Sequence, residues 1–570
     1  MVHSIGFPNQ PLVTGQASNG DNYMGPGSSR KNWSATWCAG APWSMESDYG
    51  SIGDGTPSGF THATSYACIW NHKMAVTAST SRRVGPLNVE LLGGAGTLMS
   101  RGNRYTITAN DLPVRLLGEL AAAPEIRLAV LGDYNKNGKI EWCDAAAWMR
   151  DLGVSRLTMP ANYTETLIYK LYLDNISWTK PQRTFEDCLD VIRKLHSLSG
   201  GLRQIVYLVG WQDRGHDTAY PGMGPINQRL GGPDGLDKLV GESLKYNCTI
   251  SVHTNFDDAY EGNPRFDPAV LSRDPDGSLH LWFTNHEVAE RKVYSINHTL
   301  AMQSGYHKDQ MEELLGNIPV ENSIHLDAHR AFNTVWQPDG TCLDAECECQ
   351  LGIERLRLLF AERGIDVTNE FASFGPHGGS IWGVHAHGHT DLFAAVMCHG
   401  IVRSLGRNTP ENEGLGRDFI WGEHEFLTWK QAAERFFTHW MYSQLLARKE
   451  MLDYKVGEWN EGVEAWYRDD TYVRTGRAGA VPTKLYATYE GIPIARDRDR
   501  FLPWRDNLIY VYSQAGGTQQ WTLPEGWEGT SISLDVLSEQ GTFPGPIFTI
   551  TGRTVTFYTA PGVPYCLRRD

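Results

Sequence analysis

Two textures of apolar spacing divide the chain. From residue 1 to about 122, apolar and polar positions alternate over short runs such as Lys73–Ala78 (KMAVTA) and Asn88–Leu92 (NVELL), broken by Gly, Ser, Thr and Asn. Period-two alternation between frequent turn residues predicts short half-buried strands, hence a β-sandwich-like domain. From about Glu125 the pattern changes to β-branched runs followed by longer segments with apolar positions every three or four residues. The runs predict strands at Ile126–Leu131, Leu167–Leu173, Gln204–Val209, Thr249–His253, Ser323–Asp327, Ile365–Asn369, Ile381–His385 and Asp418–Trp421. Helices are expected between several of them, at Asp144–Leu152, Thr184–Leu198, Leu236–Tyr246, His307–Leu315 and Ile353–Arg363. Eight such strands alternating with helices predict a (β/α)₈ barrel with enlarged loops. After about Pro482 short alternating strands return (LIYVYS, GTSISLDVL, IFTITGRTVTFYTA), predicting a C-terminal antiparallel β domain. The expected organisation is therefore 1–122, an N-terminal β-sandwich-like domain; 123–482, the barrel; and 483–570, a second β domain.

Composition narrows the class. Hydrophobic content of 41% and charged content of 21% over 570 residues are those of a globular protein, and no apolar run is long enough to cross a bilayer. The net charge of −15 argues against nucleic acid or an anionic membrane as partner. The N-terminus MVHSIGFPNQPLVTGQ lacks a basic start and an apolar core segment, so a cytoplasmic location is expected, or secretion if a leader has been removed. Of ten cysteines only Cys342, Cys347 and Cys349 cluster, which reads as mostly buried thiols in a reducing compartment. Nineteen Trp and 24 Tyr suit the C–H faces of sugars, although most such rings fill cores.

Two strand ends carry the candidate chemistry. The run Ser323–His329 (SIHLDAH) stops on Asp327, and Ile365–Phe371 (IDVTNEF) stops on Glu370, with an apolar-periodic helix between them. A strand–helix–strand unit makes the strands parallel neighbours, with both carboxylates at their C-terminal ends. Two carboxylates on adjacent strands suit retaining glycoside hydrolysis, in which one attacks and the other protonates the leaving oxygen. Taken singly, each would be a solvated or capping acid. Other strand ends bear polar clusters: Trp211-Gln212-Asp213-Arg214-Gly215-His216-Asp217, His253-Thr254-Asn255-Phe256-Asp257-Asp258, and His385-Ala386-His387-Gly388-His389, with His325 beside Asp327. Such groups can address sugar hydroxyls. The same histidines, His253, His325, His329, His385, His387 and His389, would alternatively serve a zinc-dependent hydrolase. A sugar-binding barrel without catalysis is a third reading, which the carboxylate pair opposes.

One further motif runs from Asp133 to Asp144 (DYNKNGKIEWCD). Asp133, Asn135, Asn137, Glu141 and Asp144 occupy positions 1, 3, 5, 9 and 12, Gly138 is at 6, and Lys139 at 7 would contribute its carbonyl. This is the spacing of a calcium loop, in which glycine allows the sharp turn. The alternative is a polar turn in which Asp144 caps the following helix. No organic cofactor is expected.

The segments GWQDRGHD, YPG, RLGGPDGLDKLVGESLKYNCTISVHTN, IHLDAH and TNEF, with the closing GVPYCLRR, resemble the endo-α-N-acetylgalactosaminidases of glycoside hydrolase family 101. They also resemble the exo-acting α-N-acetylgalactosaminidases of family 129. The likeness spans roughly residues 125 to 450. It implies a retaining α-glycosidase acting on a carbohydrate or glycoconjugate, with Asp327 as nucleophile and Glu370 as acid/base. It further implies a sugar pocket holding Gln212, His216, Asp217, His253 and Asn255, with Trp282 in a segment (LHLWFTNH) similar to a lid; the strand-end clusters add Trp211, His325 and His385 as candidate substrate contacts. Similar loops in those families favour calcium at Asp133–Asp144. An α-galactosidase or another α-hexosaminidase is the alternative within this class.

Overall fold

The structure is a computed structural model. It describes residues 165–327 apart from 219 and 286–290, residues 358–369, 429–446 and 481–569, and elsewhere shorter stretches, chiefly strands and turns between 4 and 148 and between 451 and 478. Strands β1 (Met74–Val84) and β2 (Glu125–Leu131) pair antiparallel in an N-terminal sheet, with Ala129 opposite Thr77. The central layer contains β3 (Leu167–Tyr172), α1 (Phe185–Ser199), β4 (Gln204–Val209), α2 (Gly232–Ser243), β5 (Cys248–Thr254), α3 (Tyr306–Asn317), β6 (Ser323–Leu326), β7 (Asp366–Asn369) and β8 (Ser380–Trp382). Six of these strands, in the order β3-β4-β5-β6-β7-β8, form one parallel sheet.

Burial explains the sheet. All six residues of β4 and the first five of β3 are buried, as expected of strands covered on both faces. Helix α1 supplies part of that cover through Phe185, Cys188, Val191, Ile192, Leu195 and Leu198. Its start is fixed locally: the Thr184 hydroxyl accepts from the Asp187 amide, and the Asp187 carboxylate accepts from the Thr184 amide. Gly200, at φ +64, closes it in the left-handed conformation. From Met451 to Arg569 the chain returns to antiparallel strands in a sheet whose order includes Leu508–Ser513 beside Pro564–Arg569. The two layers are joined where the Tyr510 hydroxyl donates to the Ser199 carbonyl at 2.5 Å.

Among the described residues the closed (β/α)₈ barrel expected from the sequence is not seen. Its expected first strand, Ile126–Leu131, lies instead within β2, in the N-terminal antiparallel sheet. The burial pattern gives the reason: Leu128 and Val130 are exposed while Ala129 is buried, the signature of a strand covered on one face. The expected eighth strand, Asp418–Trp421, lies outside the described residues.

After β3 and β4 the backbone crosses itself. The His216 amide donates to the Asp174 carbonyl at 2.9 Å, and Gly215 sits at φ +121 against Asn175. A Cβ on Gly215 would lie 2.8 Å from the Asn175 backbone, so this crossing requires glycine on both conformational and steric grounds. Gly215→Ala should therefore destabilise the protein by about 3 kcal/mol, the sum of backbone strain and overpacking. Urea unfolding measures it, and an unchanged midpoint would show that the crossing relaxes freely.

Candidate active site

The C-terminal ends of β3, β4, β5 and β6 deliver a compact polar group. Residue 253 stands opposite residue 325 in the parallel register, and the Asp327 amide donates to the Thr254 carbonyl at 2.7 Å. Three imidazoles follow one another across the sheet. His325 stacks on His253 with centroids 5.2 Å apart, and His216 meets His253 edge-on at 5.3 Å. His253 Nε2 lies 3.2 Å from Asp327 Oδ2, and His216 Nδ1 lies 3.2 Å from Asp217 Oδ1. Beneath them, Lys170 Nζ on β3 is 3.4 Å from His253 Nδ1.

The turn chemistry after each strand aims these groups. Asp217 has φ +55, a left-handed conformation that turns the chain directly after His216. After β5, Asn255 Oδ1 accepts from the amides of Asp257 and Asp258 while its Nδ2 donates to Asp258 Oδ2 at 3.0 Å. Asn255 thus shapes the turn and holds Asp258. Trp211 is fully buried, and its Nε1 donates to the His253 carbonyl; this indole is a core pillar. Gln212 differs. It is 2% exposed, and among the described residues neither atom of its side-chain amide has a hydrogen-bond partner. A buried amide left unpaired costs about 1–3 kcal/mol, so Gln212 marks a place where a polar ligand would be welcome.

Trp282 lies on the strand Leu281–Asn285, which pairs with Arg291–Ser295, itself paired with Asp258–Tyr260. It packs half-buried beside Tyr220, Tyr260 and Ile176, and Asn285 Nδ2 donates to the Tyr260 hydroxyl at 2.9 Å. Glu370, His329, His385, His387, His389 and Glu141 lie outside the described residues.

Electrostatics bear on four residues of the group, of which Tyr220 and Lys170 were not singled out by the sequence reading. Burial, and then the charges of Asp217, Asp257 and Asp327, hold the Asp258 carboxyl well above the usual range. Burial, followed by Asp217 and Asp327, likewise raises the Tyr220 phenol. His325 is driven below its ordinary value by burial first and then by Lys170 and His253, which keeps it neutral. Lys170 had one signal in the sequence: a lone cation inside the apolar run LIYKLY.

Among the described residues, the candidate ligand atoms of His216, His253 and Asp327 all lie within 4.8 Å of one another. The Asp133–Asp144 motif forms the loop after β2. Asp133 accepts from the amides of Asn137 and Gly138, Asn137 Oδ1 accepts from the Lys139 amide, and Asp144 Oδ1 accepts from the Asn135 amide. Asp133, Asn137 and Asp144 thus shape the turn through bonds from its own backbone amides. The side chains of Asn135 and Asn137 also donate to the Leu452 carbonyl, tying the loop to the C-terminal sheet. Asp144, Ala145 and Trp148 are helical, which also fits Asp144 as a helix-start residue.

Among the described residues no helix is long and apolar enough to cross a membrane. A family model described as endo-alpha-N-acetylgalactosaminidase matches residues 144–388. A protein of Renibacterium salmoninarum that bears a provisional endo-alpha-N-acetylgalactosaminidase name is 20% identical over 450 residues, which cover 73% of this chain and 27% of that protein. The chain thus spans about a quarter of the length of that relative. Two solved structures share the fold. The alpha-N-acetylgalactosaminidase of Bifidobacterium bifidum aligns with TM-score 0.50 and 13% identity over 80% of each chain. A family 36 alpha-galactosidase of Geobacillus stearothermophilus aligns with TM-score 0.50 and 10% identity, over 95% of this chain and 75% of that one. The matched stretch 144–388 spans the strand ends that carry Gln212, His216, Asp217, His253, His325 and Asp327.

Proposed function

We propose that this chain is a retaining α-glycoside hydrolase acting on α-linked N-acetylgalactosamine, with Asp327 as nucleophile and Glu370 as general acid and base. The observation that carries this reading is the parallel register of β6 and β7, in which Leu326 pairs with Asn369. Asp327 and Glu370 are the next residues of those two strands. Neighbouring strands are about 4.8 Å apart, a backbone spacing compatible with the ~5–5.5 Å carboxyl separation of retaining enzymes. The family match and the unpaired Gln212 amide support a sugar as the ligand. Asp217 and Asp258 lie close to Asp327, and Trp282 packs on the neighbouring Tyr220–Tyr260 cluster, so these groups would address the sugar's hydroxyls and C–H face. The likeness to an alpha-galactosidase fold favours α-galactosides as the second substrate class.

In this mechanism Asp327 attacks the anomeric carbon while Glu370 protonates the departing oxygen; Glu370 then deprotonates water, which releases the sugar from Asp327. Asp327→Ala should abolish turnover of p-nitrophenyl N-acetyl-α-galactosaminide while leaving the melting temperature near wild type, and azide should partly restore cleavage. Retained activity would remove Asp327 from the mechanism. Glu370→Gln should slow cleavage of a sugar–serine linkage by about 10²–10⁴-fold, the usual contribution of a general acid. Release of an acidic phenol needs no proton and should suffer far less. Equal losses on both leaving groups would end the acid/base assignment. A metal-dependent hydrolysis through His216, His253 and Asp327 predicts instead that chelation abolishes activity on both.

The loop Asp133–Asp144 is proposed to hold calcium. The ion would be ligated by Asp133, Asn135, Asn137 and Asp144, and it would stiffen the segment leading into the catalytic layer. A ligand at a hundredfold excess over its Kd stabilises the native state by about 2.7 kcal/mol. Chelation should accordingly lower the melting temperature, and added calcium should restore it. An unchanged melting curve would leave only the helix-start role for Asp144.

A further inference from the structure

We propose that Lys170 is a positioning residue for Asp327, acting through the ring of His253. The inference rests on the reading of Asp327 as nucleophile. Lys170 is 7% exposed in the otherwise apolar β3, and an ammonium so buried is costly unless paired. Its Nζ is 3.4 Å from His253 Nδ1, and the far side of that ring, Nε2, is 3.2 Å from Asp327 Oδ2. Side chains from three strands, β3, β5 and the end of β6, therefore stand in line.

Donor counting fixes the protons. An ammonium can only donate, so Nδ1 must accept, and a neutral ring then carries its hydrogen on Nε2, directed toward the carboxylate. The opposite tautomer would set an N–H against the ammonium and a lone pair against the carboxylate, two repulsive contacts in place of two attractive ones. A doubly protonated ring would again oppose an N–H to the ammonium. His325, stacked on His253, is itself kept neutral by burial and by the same ammonium.

The chemical consequence concerns which oxygen reacts. Oδ2 lies 3.2 Å from Nε2 of the ring, which leaves Oδ1 to form the bond to the anomeric carbon as the bond to the leaving oxygen breaks and that oxygen takes the proton of Glu370. In the second step water bonds to the anomeric carbon, its proton goes to Glu370, and the electron pair of the Oδ1–carbon bond returns to the carboxylate. Charge reappears on Asp327 at that moment, where the His253 N–H stabilises it. Release of the sugar therefore depends on Lys170 more than its capture does.

The test uses the full chain and p-nitrophenyl N-acetyl-α-galactosaminide. In Lys170→Met, kcat should fall about 10²-fold, the scale of losing one preorganised donor, while KM falls with it and kcat/KM changes little. A burst of nitrophenolate should accompany this as the glycosyl-enzyme accumulates. Lys170→Arg, which keeps a donating cation, should recover part of kcat. Independently of any variant at 170, ¹⁵N spectra of histidine-labelled wild-type protein, assigned with His253→Gln, should show Nδ1 of His253 bare and Nε2 protonated. The opposite tautomer overturns the proposal, as does a Lys170→Met protein that loses kcat/KM at unchanged KM, the pattern of general damage. An inactive Asp327→Ala beside an unaltered Lys170→Met sinks this inference and spares the nucleophile. An active Asp327→Ala removes both, although the ring spectrum would still report on the Lys170–His253 contact.

Discussion

The backbone bond from the Asp327 amide to the Thr254 carbonyl is the point on which the site hangs. It extends the ladder between β5 and β6 by one residue beyond Leu326, and so fixes the main chain of Asp327 before the strand ends. With that rung in place, residue 325 is level with His253, and the Asp327 carboxylate faces His253 Nε2. A slip of one residue would turn each side chain to the opposite face of the sheet. Such a slip of β6 would take His325 off its stack with His253 and carry Asp327 away from Nε2. Strand register and site geometry are thus one constraint.

The charge pattern follows from the same placement. Burial first, and then the charges of Asp217, Asp257 and Asp327, raise the Asp258 carboxyl. Asp258 accepts a bond from Asn255, while Asp327 has an imidazole at its side and an ammonium one ring further away. The two acids therefore stand in different surroundings, one buried with other carboxylates near it and the other beside basic groups.

Much of this was readable in advance, for identifiable reasons. Helix α1 starts at its Thr184 capping box because the signal is local. The parallel pairing of SIHL with DVTN followed from a strand–helix–strand order that leaves little choice of topology. The misread strand, EIRLAVL, carries apolar residues that fit a barrel equally well; its partner β1, some fifty residues earlier, decides otherwise. Trp211 was read with the pocket because it neighbours Gln212, yet the turn after Gly210 sends its indole into the core. Lys170 could be noticed but not interpreted, since His253, 83 residues away, is what gives it meaning.

That distance has a kinetic side. The parallel sheet is held by contacts between remote segments: the Tyr207 hydroxyl bonds the Ser323 hydroxyl across 116 residues, and the Ser251 hydroxyl bonds the Ser323 carbonyl across 72. Closing such loops loses chain entropy before any pairing compensates, so sheets of this kind form late and slowly. The polar groups drawn from β3, β4, β5 and β6 meet only when the last of these closures is complete. During synthesis the chain emerges with Lys170 and His253 long before Asp327. Until β6 docks, the cluster of imidazoles and the buried ammonium has no carboxylate to face, and β5 has an open edge. The nascent protein is most exposed to misassociation in that interval, and the arrival of a single four-residue strand ends it.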